Sequence, residues 1–361
     1  MTSAGSNDRY PLAAFAGEKP PAPGWFTRAM SELPESGSVE VAGVDIEFFT
    51  WGEVGRPGIL LIHGNFAHAH WWGPLAPLLG RDYRVCALSL AGMGGSGRRA
   101  SYTMELQIRE ALAAAESAQL FAGDEAPSLI AHSYGAEVAI NMVARAGERF
   151  GRAILLDSGV SPKIDHEPLS TKGRSYATAA DALARFRLAP PQDHNNLFIL
   201  DDIARKGLVQ DENGQWRWQF DVNFWARLGP YSGWDSLPHA KCPLSFIYAE
   251  ESKLVTPEMV AQQKIHAPKG TPFIPILGAG HHLMIDQPIA VLAAIRSVIE
   301  EGRRSLALKR KAAWMSGVNC RTAHWLFRRG GECGAWHRTA PDRRRLWRGC
   351  LLPIVPTTAG V

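Results

Sequence analysis

The chain has 361 residues, of which 46% are hydrophobic and 20% charged, an ordinary globular balance that argues against a disordered or fibrous protein. No apolar run approaches the roughly 18 residues that a membrane span requires. The net charge of +4 hides an asymmetry: from Gly302 onward there are 13 Lys/Arg against 2 Asp/Glu, which leaves 26 against 33 for everything before.

The length allows one large α/β domain with an insertion, or two domains. Residues 1–37 open with a polar stretch rich in Pro, Gly and Ser and carry no basic-then-apolar signal pattern. They read as a flexible lead-in to a cytoplasmic protein, with a short amphipathic turn at 24–30. Residues 38–51 alternate apolar and polar about Gly43, which predicts a two-stranded hairpin. Residues 59–62 are a continuous apolar run, as in a strand covered on both faces, and end in His63-Gly64-Asn65-Phe66. A helix is expected over 71–79 and a buried strand over 83–90. The strand leads into Ser89-Leu-Ala-Gly-Met-Gly-Gly-Ser-Gly97. An Ala-rich helix follows over 104–120. Then comes Ser128-Leu-Ile-Ala-His-Ser-Tyr-Gly-Ala136, read as a strand (128–131), a reversal at Ser133 and a helix from Tyr134 to Ala146. Residues 152–156 are another strand, closed by Asp157.

The strand–helix alternation predicts an α/β fold with a mostly parallel sheet wrapped by helices, its active site at the carboxyl ends of the strands. The rhythm breaks over 161–237. That stretch holds helical pieces (178–188, 196–206), a Pro190-Pro191 stop, an Asn213-Gly214 turn and a cluster of aromatics. It reads as a helical cap, or lid, inserted into a core of 38–160 and 238–301. The rhythm resumes with strands at 243–249 and 272–277 and helices at 257–266 and 287–300. Residues 302–361 contain three of the five cysteines and four of the twelve tryptophans. They show little periodicity and read as a basic, disordered appendage that cannot build a core. Nucleic-acid binding through this tail is the lesser reading. Cys86 and Cys242 fall in strands, where a buried reduced thiol is expected.

Three loops at strand ends carry the chemistry. Small residues, Ala131 and Gly135, flank Ser133 at both second neighbours. They permit a sharp turn that exposes the Ser133 hydroxyl and aims new helix N–H groups at the same point. In the first loop, Gly64 allows a tight turn. The backbone N–H of Asn65 or Phe66, with that of Tyr134, would then form a two-donor oxyanion hole. In the second, His281 follows Gly280 just after the last strand and is assigned as the base, with the adjacent His282 as runner-up. The third member is an acid. The turn after 243–249 offers Glu251 and, at the customary slot, Ser252, which cannot be an anion. Asp157 is preferred, with Glu251 as the alternative and Ser252 as a hydrogen-bonding helper.

The pattern resembles the α/β-hydrolase superfamily. The resemblance rests on His63-Gly64, Ser89-x-x-Gly92-x-Gly94-x-Ser96, His132-Ser133-Tyr134-Gly135 and Gly280-His281, and covers about residues 38–301. It implies an eight-stranded sheet with a helical cap after the sixth strand, a serine nucleophile at Ser133 and a histidine base at His281. Some branches carry the acid after the sixth strand with Ser in the usual slot, which Asp157 and Ser252 resemble. The sequence departs from the common pattern at Ala131, Ser89 and Ser252. Ser133 in place of an aspartate argues against dehalogenase or epoxide hydrolase chemistry.

The expected activity is hydrolysis of a carboxylic ester or lactone through an acyl-enzyme, on a small-molecule substrate with an apolar group. Trp216, Trp218, Phe224 and Trp225 are the candidate pocket residues. The alternatives are a C–C bond hydrolase of the meta-cleavage type and a catalytically weak, ligand-binding relative. No metal or organic cofactor is expected: there is no ligand-spaced His/Asp cluster, and the glycine-rich 92–97 stretch leads into a loop rather than a helix.

Overall fold

The computed structural model describes residues 10–160, 173–192 and 196–315. The chain divides into two compact units, Met1–Ser305 and Leu306–Val361. In chain order the strands are β1 (Glu35–Val41), β2 (Val44–Trp51), β3 (Gly58–Ile62), β4 (Arg84–Leu88), β5 (Ser128–His132), β6 (Arg152–Leu156), β7 (Leu208–Gln210), β8 (Trp216–Trp218), β9 (Leu244–Ala249) and β10 (Phe273–Ile276). The helices are α1 (Gly24–Met30), α2 (Ala76–Gly80), α3 (Met104–Ser117), α4 (Tyr134–Ala146), α5 (Ala179–Leu183), α6 (Leu197–Lys206), α7 (Phe224–Arg227), α8 (Gly233–Ser236), α9 (Pro257–His266), α10 (Leu283–Asp286) and α11 (Pro288–Met315).

Eight strands form one sheet in the order β1-β2-β4-β3-β5-β6-β9-β10, and β7 pairs with β8 separately. The β1–β2 hairpin turns through Ala42 and Gly43, both with positive φ, and its register ends at Val41 opposite Val44. β2 meets β4 antiparallel, and every later neighbour in the sheet is parallel. β3, β4 and β5 are buried at every position, which is why they read as unbroken apolar runs. Side chains alternate between two cores. Leu60, Ile62 and Leu129 pack on one face with Ile108 and Ala111 of α3 and Val138 of α4. Ile59, Leu61 and Ile130 pack on the other with Leu79 of α2 and Val291 and Ile295 of α11.

Chain order reverses between β3 and β5: β4 lies on one side of β3, and β5, β6, β9 and β10 follow on the other. The loops after β3 and β5 therefore diverge and leave a crevice at their carboxyl ends, where ligands of open α/β sheets bind.

Four details differ from the sequence expectation. Residues 71–79 are not one helix. A 3-10 turn at Ala69–Trp72 is separated from α2 by Gly73-Pro74, where the proline lacks the N–H that a continuing helix would use. Within residues 10–37, Leu12 and Phe26 are buried and the Phe26 ring meets Phe198 at 4.8 Å, so this stretch is packed rather than a free lead-in. The region between β6 and β9 is not purely helical, since β7 and β8 form a hairpin closed at Gly214 (φ 74°). Finally, α11 continues to Met315 through a run of Ala, Leu, Lys and Arg, all good helix formers. The disorder expected of the tail concerns mostly 316–361, which lie outside the described residues, as do 1–9 and parts of the expected cap (161–172, 193–195). No helix among the described residues is long and apolar enough to cross a membrane.

Candidate active site

Ser133 sits between β5 and α4 with φ 53° and ψ −122°, a conformation that a non-glycine residue adopts only when its surroundings hold it there. Its N–H donates to Leu156 O at 3.0 Å, which ties the turn to the neighbouring strand β6. Gly135 is required by close approach. A Cβ there would lie 2.4 Å from His63 O and 2.7 Å from Ile62 O, the end of β3. Gly64 is required for the same reason from the other side, since its Cβ would meet His132 Nδ1 at 3.0 Å and Ser133 Cβ at 3.2 Å. The two glycines let the β3 loop and the Ser133 turn touch.

His281 lies in the loop between β10 and α10 and is buried. The Ser133 hydroxyl donates to its Nε2 at 2.9 Å, and its Nδ1–H donates to Asp157 Oδ2 at 2.7 Å. Asp157, directly after β6, is fully buried and has φ 41°. Its partners are complete: Oδ1 accepts the Ala249 N–H at 2.8 Å, Oδ2 also accepts the Ser252 hydroxyl at 2.6 Å, and its own N–H donates to Ile247 O at 2.8 Å. The carboxylate is thus surrounded by donors, the His281 Nδ1–H among them. The Nε2 lone pair is left facing Ser133. Glu251, by contrast, is exposed on the far side of its turn, and its N–H bonds to Ala279 O at 2.9 Å.

Three further histidines frame this chain of bonds. His63 Nδ1–H donates to Gly64 O at 2.7 Å and its Nε2 accepts the Leu90 N–H at 3.0 Å, so it must be neutral. Burial depresses it to about 4, against a smaller opposing effect of the Gly64 carbonyl. His132 Nε2–H donates to the His281 carbonyl at 2.9 Å and so holds the His281 loop from the strand below. Burial, and then the proximity of His281, lowers its pKa well below the usual imidazole value. The His282 ring lies 5.2 Å from Trp71, and the backbone N–H of His282 donates to Gln192 Oε1 at 2.9 Å, a contact with the segment inserted after β6. The sequence reading gave no role to His132 or Gln192. A histidine preceding Ser133 in a buried strand was the only available signal for the first.

Asn65, Phe66 and Tyr134 all line the cavity beside Ser133. Phe66 has φ 52°, which turns the loop back toward the serine. The Tyr134 N–H is at the first turn of α4, where helix donors lack intrahelical acceptors. The cavity has a volume of about 1230 Å³. Of the four aromatic pocket candidates, Trp218 and Trp225 line it. Phe224 faces the opposite way: it is fully buried against Tyr102 (4.7 Å) and Tyr134 (5.7 Å). Trp216 pairs with Tyr176 and Gln210 in the small hairpin region and does not reach the cavity. Phe66, Phe186, Phe220 and Tyr231 contribute aromatic wall instead.

His132, His281 and His282 each offer a ligand atom within 4.8 Å of the others. A metal held by all three would have to take one of the two His281 nitrogens, which already serve Ser133 and Asp157.

The sequence profile of the Alpha/beta hydrolase family matches residues 59–295. The chain belongs to that family. The matched span runs from β3 into α11 and takes in Ser133, Asp157 and His281. Among curated relatives, the esterase Rv0045c of Mycobacterium tuberculosis is 24% identical over 284 residues, covering 74% of this chain and 90% of that protein. The esterase YbfF of Escherichia coli is 24% identical over 245 residues, covering 67% and 93%. Among solved structures, E-2-(acetamidomethylene)succinate hydrolase superposes with a TM-score of 0.65 at 18% identity, covering 74% of this chain and 99% of that one. At that identity it speaks for the fold alone.

Proposed function

We propose that this hydrolase-family protein is a serine esterase acting on a carboxylic ester or lactone whose acyl or alcohol portion is apolar. The observation that carries this reading is the continuous hydrogen-bond chain from the half-buried Ser133 Oγ through the buried His281 to the buried Asp157 Oδ2. In this mechanism His281 Nε2 takes the Ser133 proton as the oxygen attacks the carbonyl carbon. The imidazolium is stabilised by Asp157, whose geometry is held by Ser252 and the Ala249 N–H. The negative charge on the former carbonyl oxygen is met by the Tyr134 N–H together with that of Asn65 or Phe66. His281 then protonates the leaving alkoxide. Next it accepts a proton from the water that attacks the acyl-enzyme, and finally returns it to Ser133. The segment between β6 and β9 serves as the cap and supplies the aromatic wall against which an apolar group packs. The two esterase relatives support the same reaction class.

The test is turnover of p-nitrophenyl acetate and butyrate together with labelling by a fluorophosphonate. Ser133→Ala should abolish labelling and lower kcat by roughly 10⁴-fold or more. Turnover that survives Ser133→Ala, or an intact protein that neither labels nor hydrolyses short esters, would overturn the reading.

A further inference from the structure

The exposed charged side chains that line the cavity are all of one sign. Arg98, Arg174, Arg185, Arg187 and Arg217 all line it, and all five are exposed. They come from separate stretches: Arg98 from the loop after β4, Arg174, Arg185 and Arg187 from either side of α5, and Arg217 from the middle of β8. Among the described residues none of the five forms an ion pair. Nine arginines elsewhere in the same chain do. Arg98 donates to Phe220 O at 3.2 Å and the Arg185 guanidinium lies 5.6 Å from the Tyr10 ring; both contacts leave N–H donors available. Glu137 is the only carboxylate among the described lining residues. It is buried in the first turn of α4.

Convergence of like charges from four parts of the chain is unfavourable unless something negative joins them. A guanidinium presents several N–H donors in a plane that matches the paired oxygens of carboxylate and phosphate. The space fits an extended ligand as well: about 1230 Å³ exceeds the roughly 300–1,000 Å³ of ordinary small-ligand pockets. Its aromatic wall and its arginine opening are suited to opposite ends of one molecule.

We propose that the substrate is an amphiphile whose scissile acyl group reaches Ser133 while an anionic group, phosphate or carboxylate, is held by these arginines at the mouth. This rests on the esterase reading and narrows it to acyl compounds with a charged handle. The reaction is unchanged: the acyl–O or acyl–S bond breaks, the acyl group passes to Ser133 Oγ, and the leaving group takes its proton from His281.

Two matched pairs of substrates test it. Butyryl-coenzyme A is compared with the neutral butyryl thioester of N-acetylcysteamine, and p-nitrophenyl hydrogen glutarate with p-nitrophenyl butyrate. At low salt the anionic member of one pair should be preferred in kcat/KM by about tenfold, the work of two or three partly exposed charge pairs. The preference should shrink in about 1 M salt, where the screening length falls to about 3 Å. A preference in the thioester pair identifies phosphate, and one in the glutarate pair identifies carboxylate. The ratio should collapse in R185Q/R187Q/R217Q, whose substitutions are all at exposed side chains. Ratios near one in both pairs, or a preference that survives the triple variant, would overturn the proposal. Calorimetric binding of the same two anionic compounds to Ser133→Ala reads the arginines without turnover. Binding to Ser133→Ala together with absence of hydrolysis by the wild-type protein therefore sinks the esterase reading alone.

Discussion

The strand ends of the sheet and the segment inserted after β6 build the same cavity by opposite means. At the strand ends the residues of the Ser133–His281–Asp157 chain are each bonded to defined neighbours: Asp157 alone is held through both oxygens and its own N–H. The inserted segment is made of pieces as short as α5, β7, β8 and α7, and it meets the cavity with half-buried aromatics and exposed arginines. Rigid, dry hydrogen bonding suits reaction geometry, which tolerates little displacement. Loosely tethered apolar and charged surface suits recognition, which can be exchanged without disturbing the chemistry. Changes at the strand ends should therefore act on kcat, and changes in the insertion on KM.

After Ser133→Ala, the largest expected effect is at the proposed acid. Asp157→Asn replaces an acceptor facing three donors with an amide that presents N–H to one of them, and it removes the reason for the proton to stay on His281 Nδ1. Its kcat should fall by roughly 10³–10⁴-fold, while Glu251→Gln, on an exposed side chain, should leave kcat within about twofold. The reverse order, measured in steady-state kinetics, would displace Asp157 from its role. Next come two adjacent residues that point into different regions. Phe224→Ala opens a hole in the core and should cost about 3–5 kcal/mol in denaturant unfolding. Trp225→Ala should instead raise KM for apolar esters by about tenfold, the equivalent of ~1.4 kcal/mol, with kcat nearly unchanged. Equal stability losses in the two variants would break the distinction drawn between cavity wall and core.

Glu137 gives a pH test of the seam between the two regions. Burial raises it to about 7, opposed by the Gly233 N–H. Its folded form therefore holds a proton that the unfolded chain releases near 4.5. The stability this contributes is complete below about 4.5 and is lost as pH rises through about 7, by roughly 3 kcal/mol at most. His63 and His70, both depressed to about 4 by burial, work in the other direction. Their stability is complete above about 6.5 and is lost as pH falls toward 4. Melting temperature should accordingly be highest near neutrality. Glu137→Gln should gain on the wild type between about pH 5 and pH 8, and a gap independent of pH would show that Glu137 is not held protonated. The smallest effect is Ser252→Ala, which deletes one hydroxyl from Asp157 and should lower kcat by several-fold, about 1 kcal/mol.

How far these regions could be read from sequence follows from how they are built. The strands β3 to β6 are largely buried on both faces, so their apolar runs announced themselves, and the loops that close β5 and β6 marked the positions of Ser133 and Asp157, while Gly280 after the last strand marked His281. The resemblance to the α/β hydrolases added the strand count. The insertion resisted because its elements are too short for periodicity. In a four-residue helix such as α7, nothing in the sequence says that Phe224 turns inward and Trp225 toward the cavity. The arginines at the mouth were invisible for a related reason: they lie on four stretches of chain, and only the fold brings them to one opening. The burial of Leu12 and Phe26 depends on distant partners such as Phe198, which composition does not encode.

The placement of Asp157 has an engineering consequence. It is the last residue of the core before the chain leaves to form the insertion, yet it is pinned to β9 and its following turn through the Ile247 carbonyl, the Ala249 N–H and the Ser252 hydroxyl. The carboxylate thus behaves as a post driven into the neighbouring strand, and the polypeptide beyond it is a tether. Exchanging the segment between residues 160 and 238 for one of another length would pull on the tether and leave the post standing, so new pockets can be grafted onto this core provided that the contact of Gln192 with the His282 backbone is kept.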